Sequence, residues 1–371
     1  MTSVDLVVVG AGIVGLAHAW HAVREGLSVT VVERDEHAAG ASVRNFGHGC
    51  FTAQDGVAFG YAMAAREEWL KLAQEAGFWL RESGTLVVAR SEDELAALEE
   101  FAEVRDVQLL NNPTSRSFND PNVELLNNPS ILGAALLPLD IRVDPREAVH
   151  AIAGLLNNRG VQFQWSTNVL TVEPGLVRTA RGEIRCRAAV VAVGHDVDRF
   201  FPGLAERHEV QRCQLRMLRV AHGGVIDPAV LTGFSMLRYE AFNRCPSTEK
   251  VRERLTSDHP ELVEAGLNLM FTQLPDGSLT IGDTHHYSRT VEPYRPEHLD
   301  DLVLTETARL LGVPALKVLE RWRGIYASAP EPFLTATPAP SIRAVSVTSG
   351  IGMTTALGLA PAVLDDLLQE M

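Results

Sequence analysis

Residues 4–34, VDLVVVGAGIVGLAHAWHAVREGLSVTVVER, constrain the fold more than any other part of this chain. An apolar run, Val4 to Val9, leads straight into Gly10, Gly12 and Gly15. A helix-forming stretch follows to about Arg24, and a second apolar run, Val29 to Val32, ends in Glu33. Each glycine has its own task. Gly10 permits a tight turn, Gly12 lets a pyrophosphate approach the backbone, and Gly15 lets the helix pack closely on the strand. The helix start at Ile13 and Val14 offers free N–H groups and a positive dipole end. Glu33 stands where a carboxylate accepts hydrogen bonds from a ribose diol and repels a 2′-phosphate. Strand, glycines, helix, strand and acid in register predict a dinucleotide-binding βαβ unit.

The 371 residues suffice for two or three modules or one large α/β body, and 46% hydrophobic against 22% charged residues is ordinary for a protein with a substantial core. The net charge of −14 disfavours a nucleic-acid partner. Four cysteines (Cys50, Cys186, Cys213, Cys245) show neither CxxC spacing nor a disulfide framework. The N-terminus enters the first strand at once and no apolar run reaches the length of a membrane span, so the expectation is a cytoplasmic protein without a leader.

Beyond Glu33 and Arg34 comes a polar, glycine-containing segment to about Gly56, then a helix. GTLVVAR (84–90) reads as a strand and Glu92 to Val104 as a surface helix; 105–143 reads as irregular. Asp144 and Pro145 start a helix that runs to about 160. A strand at 161–170 and a buried strand at 187–196 follow. Alternation at 208–222 and 267–287 predicts a second sheet, and a charged helix runs from Pro296 to Leu311. The strand AVSVTSG and a helix close the chain. LLNN occurs at 109–112, 125–128 and 155–158 without a common structural period. The pattern is one interleaved body.

GAGIVGLAHA, the pair ER at 33–34, GASVRNFG (40–47), NVLTVE (168–173), VVAVGHD (190–196) and SGIGMTTALGLAP (349–361) together resemble the superfamily of D-amino-acid oxidase, glycine oxidase and sarcosine oxidase. The resemblance implies FAD as cofactor and a mixed α/β and α+β fold, with a Rossmann-like FAD-binding domain interleaved with a mainly antiparallel-sheet substrate domain. The domains expected are 1–80, 144–205 and 312–371 for FAD, and 81–143 and 206–311 for substrate. It implies that Ala41, Ser42, Arg44, Asn45 and Gly47 pass under the pyrophosphate towards the isoalloxazine. It also implies that Val169 contacts adenine through its backbone, and that Gly194 belongs to the nucleotide site. Gly350 and Gly352 permit close approach of a planar ring. A helix starting near Thr354, with Met353 and Thr355, would aim its N-terminus at that ring and stabilise an anionic reduced flavin. The segment 323–328, where some relatives carry a linking cysteine, has none; His48 lies near a region where others use histidine. Non-covalent FAD is the expectation.

On the strand QRCQLRML, alternation separates Arg212, Gln214 and Arg216 from Cys213, Leu215 and Met217. The polar set faces either water or a substrate cavity, where two guanidiniums could grip an anion. Leu237 to Glu240 reads as a further strand presenting Tyr239. In GDTHHY, His285 rather than His286 is the candidate acid, base or anion donor. RWRGIY puts Tyr326 where the resemblance leads one to expect a carboxylate-gripping arginine, with Arg323 nearby. His48, Tyr239, His285, Arg323 and Tyr326 are therefore the expected pocket residues.

A narrower resemblance, carried by SVRNFG, the segments around Gln211 and Tyr239, GDTHHY and RWRGIY, is to a branch associated with phosphonate breakdown. It implies oxidation of an N-alkylated aminophosphonate, a small and anionic amine. Hydride passes to flavin N5, the imine hydrolyses, and oxygen or another acceptor takes the electrons. Three alternatives stay open. One is a glycine, sarcosine or D-amino-acid oxidase, another a 2-hydroxy-acid dehydrogenase, and the third a non-catalytic FAD-binding module. No motif fixes the oligomeric state.

Overall fold

The computed structural model describes residues 3–110 and 125–371. Its main element is a mixed sheet of 15 strands among these residues. Val4–Val9 lies at the centre of the nucleotide half, parallel to Val29–Val32 on one side and to Gly182–Val191 on the other. Gln162–Gln164 extends one edge, and Ile342–Ser349 joins Gly182–Val191 in parallel. Val4–Val9 and Val29–Val32 are apolar on both faces because both are covered, one by helices and the other by residues such as Val169, Val172 and Val177. Ile13–Arg24, Gly56–Ala76 and Gly352–Leu368 pack there around Leu6, Val8, Leu16, Trp20, Trp69 and Leu357.

Two glycines set that packing. A Cβ at Gly15 would stand 2.0 Å from the Gly10 carbonyl oxygen, and one at Gly358 would stand 2.1 Å from that of Tyr61. Trp69 Nε1 donates to the Met353 carbonyl at 2.7 Å, fastening the long helix to the start of the last one.

The sheet continues without a break into an antiparallel half. Gln211–Val220 pairs with Leu279–Ser288 on one edge and with Val318–Ala339 on the other. Val318–Ala339 is 22 residues long, and its register shifts between Ser328 and Phe333 and again between Ala336 and Ala339, where prolines interrupt it. Its first part pairs with Gln211–Val220 and its second with Ile342–Ser349. The boundary expected at 312 thus precedes a strand common to both halves.

Two sequence expectations change. Leu237–Glu240 is no strand: Thr232 opens a short helix, Gly233–Met236, through a capping box with Ser235, and a 3₁₀ turn over Glu240–Arg244 follows. The stretch 105–143 contains strands Gln108–Leu109, Gly133–Leu137 and Ile141–Val143. Gly133–Leu137 escapes notice because it is small-residue and almost wholly buried, so no alternation marks it. Among the LLNN repeats, 111–112 fall outside the described residues, Leu125 and Leu126 are buried, and 155–158 ends the helix Pro145–Asn158. No helix among the described residues is long and apolar enough to cross a membrane.

Candidate active site

A cavity of about 550 Å³ runs from the edge of the parallel strands to the underside of the antiparallel ones. Its nucleotide end is built from the first βα turn. A Cβ at Gly10 (φ +103°) would stand 2.5 Å from the Ala192 carbonyl oxygen, so only glycine fits between the two strands. The first helix has no side-chain cap of its own; instead the Ile13 N–H donates to Ser42 Oγ at 2.8 Å. The Ala11 N–H donates to Glu33 Oε2 at 2.8 Å. A glycine cradle, a helix N-terminus and a carboxylate at the end of the second strand are the donor and acceptor set that a dinucleotide needs, and they fit one.

Ile13, Val14, Arg34, Ala41, Arg44, Val169 and Gly194 line the same cavity, as do Gly350, Gly352, Met353 and Thr354 at the start of the last helix. Asn45 also lines it and holds its loop in shape: its Nδ2 donates to the Ala41 and Ser42 carbonyls, both at 2.9 Å, while Oδ1 accepts from the Gly47 N–H at 2.7 Å. Gly15, Gly47 and Thr355 stand behind the lining. Gly47 is tight against the Val143 carbonyl, and Thr355 is buried on the Ile351 carbonyl. Asp196, unmarked in the sequence reading, ties Arg34 (2.7 Å), Arg199 (2.8 Å) and Arg212 (3.2 Å) at the cavity edge.

The other end collects His48, Tyr239, His285 and Tyr326, as expected, with Arg238, Asn268, Met270 and Asp283, which were not. His48 Nε2 is 2.6 Å from Thr85 Oγ1 and 3.7 Å from Asp140 Oδ2. One donor atom each of His48, Cys50 and Asp140 lies within 4.8 Å of the others, a spacing that a metal ion can use. Several of these atoms have protein partners, although His48 Nδ1 and Asp140 Oδ2 have no hydrogen-bond partner among the described residues. Asp140 Oδ1 accepts from the Phe51 and Thr52 N–H groups and the Thr52 hydroxyl, each at 2.9 Å. Burial and the nearby Asp140 push the Cys50 thiol up, so it stays protonated. Burial and Cys50 do the same to the Tyr239 hydroxyl. The cluster reads as a hydrogen-bonded knot beside the cavity.

Arg238 sits in the turn after Gly233–Met236, open to the cavity, and its Nη2 donates to the Tyr287 hydroxyl at 2.7 Å. Burial works against its charge, but the Tyr287, Tyr326 and Asp283 oxygens more than offset it, so it is a firm cation. Burial pushes the Asp283 carboxyl up to about 7 against the opposing pull of Arg238 and Asn268. Burial, reinforced by Arg238, pushes His285 down to about 3, so its imidazole is neutral. The Tyr326 hydroxyl is raised by burial and by Cys213.

Arg323 is not part of this group. Register pairs Leu215 with Gly324 and Cys213 with Tyr326 on the cavity face, and Arg216 with Arg323 on the opposite face. There Arg323 Nη1 donates to the Pro293 carbonyl at 3.1 Å, beside a separate hollow of about 390 Å³. The alternation that brings Tyr326 in sends Arg323 out. Arg212 and Arg216 also point away. Arg212 makes a fork with Asp198 (2.9 Å to each oxygen), and Arg216 pairs with Asp300. They are neither solvated nor substrate-facing; protein carboxylates occupy them.

The chain resembles known proteins in both sequence and fold. It is 26% identical over 226 residues to one component of the opine oxidase of Rhizobium meliloti, a match spanning 54% of this chain and 59% of that protein. It is 28% identical over 227 residues to gamma-glutamylputrescine oxidoreductase of Escherichia coli (strain K12), spanning 55% of this chain and 52% of that protein. The chain thus matches somewhat over half the length of these curated relatives. Among solved structures, L-proline dehydrogenase from P. horikoshii superposes with a TM-score of 0.80 at 19% identity, covering 99% of this chain and 94% of that one. The family described as FAD dependent oxidoreductase (DAO) matches residues 5–365, which is nearly the whole chain. With the glycine cradle, Glu33 and the cavity that continues from them under the antiparallel roof, this match establishes that the chain belongs to the DAO family of FAD-dependent oxidoreductases.

Proposed function

We propose that this chain oxidises a small amine carrying an anionic group. The observation that carries the reading is Arg238, a cation open to the cavity whose side-chain hydrogen bond goes to a hydroxyl, not to a carboxylate. A guanidinium so placed is ready for a carboxylate or phosphonate. The relatives named for an opine and for gamma-glutamylputrescine support an amine substrate. Gly10, Gly12, Ile13 and Ser42 would hold the FAD pyrophosphate, Glu33 the ribose, Val169 the adenine, and the helix start at Gly352–Thr354 would face the flavin. FAD, when bound, supplies the two-electron oxidation of the carbon next to nitrogen. The protein's own groups do the rest: Arg238 fixes the anionic end, the Tyr326 and Met270 side chains wall the cavity, and neutral His285 presents a lone pair. Non-covalent retention of FAD fits a segment 323–328 without cysteine, and four free, buried cysteines fit a reducing compartment.

Within this class an N-alkylated aminophosphonate, such as N-methyl-2-aminoethylphosphonate, is the substrate we favour. A dianionic head group suits an arginine whose side-chain hydrogen bond goes to a hydroxyl and which makes no ion pair within 4 Å among the described residues. The test is anaerobic bleaching of the flavin band by that compound, sarcosine, glycine, D-alanine and a 2-hydroxy acid. Bleaching by the aminophosphonate alone supports the reading. Bleaching by glycine or sarcosine replaces it with amino-acid oxidation, and bleaching by the hydroxy acid alone overturns amine chemistry. FAD that no compound bleaches points to a binding module.

A further inference from the structure

An amine reaches neutral solution as an ammonium, and its nitrogen lone pair must be freed before the adjacent carbon can be oxidised. We propose that Asp283 takes that proton, with His285, whose lone pair faces it, as the positioning residue. The proposal rests on the amine-oxidation reading above and deepens it.

Asp283 lies on the strand Leu279–Ser288, in the cavity wall, with only 3% of its surface exposed. Its Oδ1 has no hydrogen-bond partner among the described residues, and its Oδ2 stands 3.7 Å from His285 Nε2. His285 Nδ1 is 2.7 Å from the Gly266 carbonyl, which can only accept, so the hydrogen sits on Nδ1 and Nε2 carries a lone pair. A carboxylate oxygen therefore faces another acceptor. At 3.7 Å the pair is beyond hydrogen-bond reach, and one proton on Oδ2 relieves the opposition of two facing lone pairs. That is the state reached when the carboxylate has accepted a proton.

Among the groups that face Asp283, none is as ready an acceptor as its own carboxylate. Arg238 faces it from the turn after Gly233–Met236, Asn268 from the segment before Met270–Gln273, His285 from its own strand, and Cys213 from the adjacent strand. Arg238 is a cation and His285 is too weak a base near neutrality. The hydroxyls of Tyr239 and Tyr326 are held protonated, and His48 is engaged with Thr85. Burial without a full set of donors lifts Asp283 into the neutral range, where a carboxylate exchanges protons readily. Arg238 and Asp283 then define the substrate class as an amine whose anionic end meets the cation and whose nitrogen meets the carboxylate.

The balance is simple. The ammonium N–H bond breaks, its electron pair stays on nitrogen, and the proton joins Asp283 Oδ2, which becomes neutral. The carbon next to nitrogen then gives up its hydrogen with two electrons to oxidised FAD. Asp283 returns its proton to solvent as the product leaves.

The experiment is the anaerobic reduction rate of the FAD-loaded enzyme against pH, using the amine that bleaches the wild type. In wild type the rate should level off above about pH 7, at a position that does not move with the amine's own basicity. Asp283→Asn should lower the rate at pH 7 by at least about 100-fold and then gain about tenfold per pH unit as solution deprotonates the amine. Asp283→Glu should restore the plateau, and His285→Asn should shift its position while keeping its height. Wild-type behaviour in Asp283→Asn overturns the proposal. If Asp283→Asn does not retain FAD, two amines of different basicity decide the matter in wild type, because a limb that follows the amine overturns it equally. A wild type that no amine bleaches defeats the amine reading itself, a distinct outcome.

Discussion

The phenol end of Tyr326 rests against Gly350. A Cβ built at Gly350 would stand 3.0 Å from Tyr326 Cζ, and the residue holds φ +79°. The planar group against this glycine is thus a ring of the protein, which places the strand carrying RWRGIY directly over the turn that opens the last helix. Gly350→Ala should displace Tyr326 and strain the turn, costing about 1–2 kcal/mol of stability. Urea unfolding of the apoprotein measures the first effect. A titration with FAD should show about tenfold weaker binding, equivalent to about 1.4 kcal/mol.

Arg238→Gln should raise KM for an anionic amine by about 10- to 100-fold, since a charge-assisted fork is lost, and Arg238→Lys should recover only part of it. Arg323→Ala, on the opposite face of the sheet, should stay within about threefold of wild type, as exposed substitutions away from the site do. Steady-state kinetics on the two variants test the face assignment as a pair.

Glu33→Ala removes the acceptor of the Ala11 N–H and the carboxylate suited to a ribose diol. Affinity for FAD should fall about tenfold, the worth of a charged hydrogen bond. The anaerobic reduction rate at saturating FAD should be unchanged. Loss of that rate would move Glu33 into the chemistry.

His18 lies fully buried on the helix Ile13–Arg24, and burial pushes it down to about 4. Its Nδ1 is 2.7 Å from the Val14 carbonyl, and its Nε2 has no partner among the described residues. A depressed histidine works in one direction. Above its usual value of 6.5 it costs nothing, and as pH falls from there towards about 4 the unfolded chain takes up a proton that the folded one refuses. Stability should drop across that window by up to about 3 kcal/mol from this residue. His18→Leu should flatten the fall in Tm between those pH values, while His285, pushed down to about 3, leaves a residual slope.

The nucleotide half was legible because its signals are local. Gly10, Gly12, Gly15 and Glu33 lie within one βαβ unit, and each answers to a single steric or hydrogen-bonding demand. The roof was harder. The Tyr239 segment reads as a strand on its own, and the sign against it is the T-x-x-S of Thr232–Ser235 just before, which caps a helix. Arg323 was misplaced because its face depends on pairing with Gln211–Val220, which is a matter of register between distant segments. Asp283 lies within GDTHHY, where the adjacent histidines are the more conspicuous residues; a lone aspartate at the end of an apolar strand is the signal that marks it. Arg238 could be recognised only once the fold showed which arginines already had carboxylate partners.

The strand Val318–Ala339 is hydrogen-bonded to the roof by its first half and to the nucleotide side by its second. A protein stitched in this way cannot open like a jaw, because parting the two sides would unzip a sheet. Passage of substrate in and out falls to side chains and loops at the rim, and the distance from the turn at Gly350 to Tyr326 is set once, at folding. The enzyme is closer to a vessel with a fixed lid than to a clamp, and heat should unfold both sides together in a single transition.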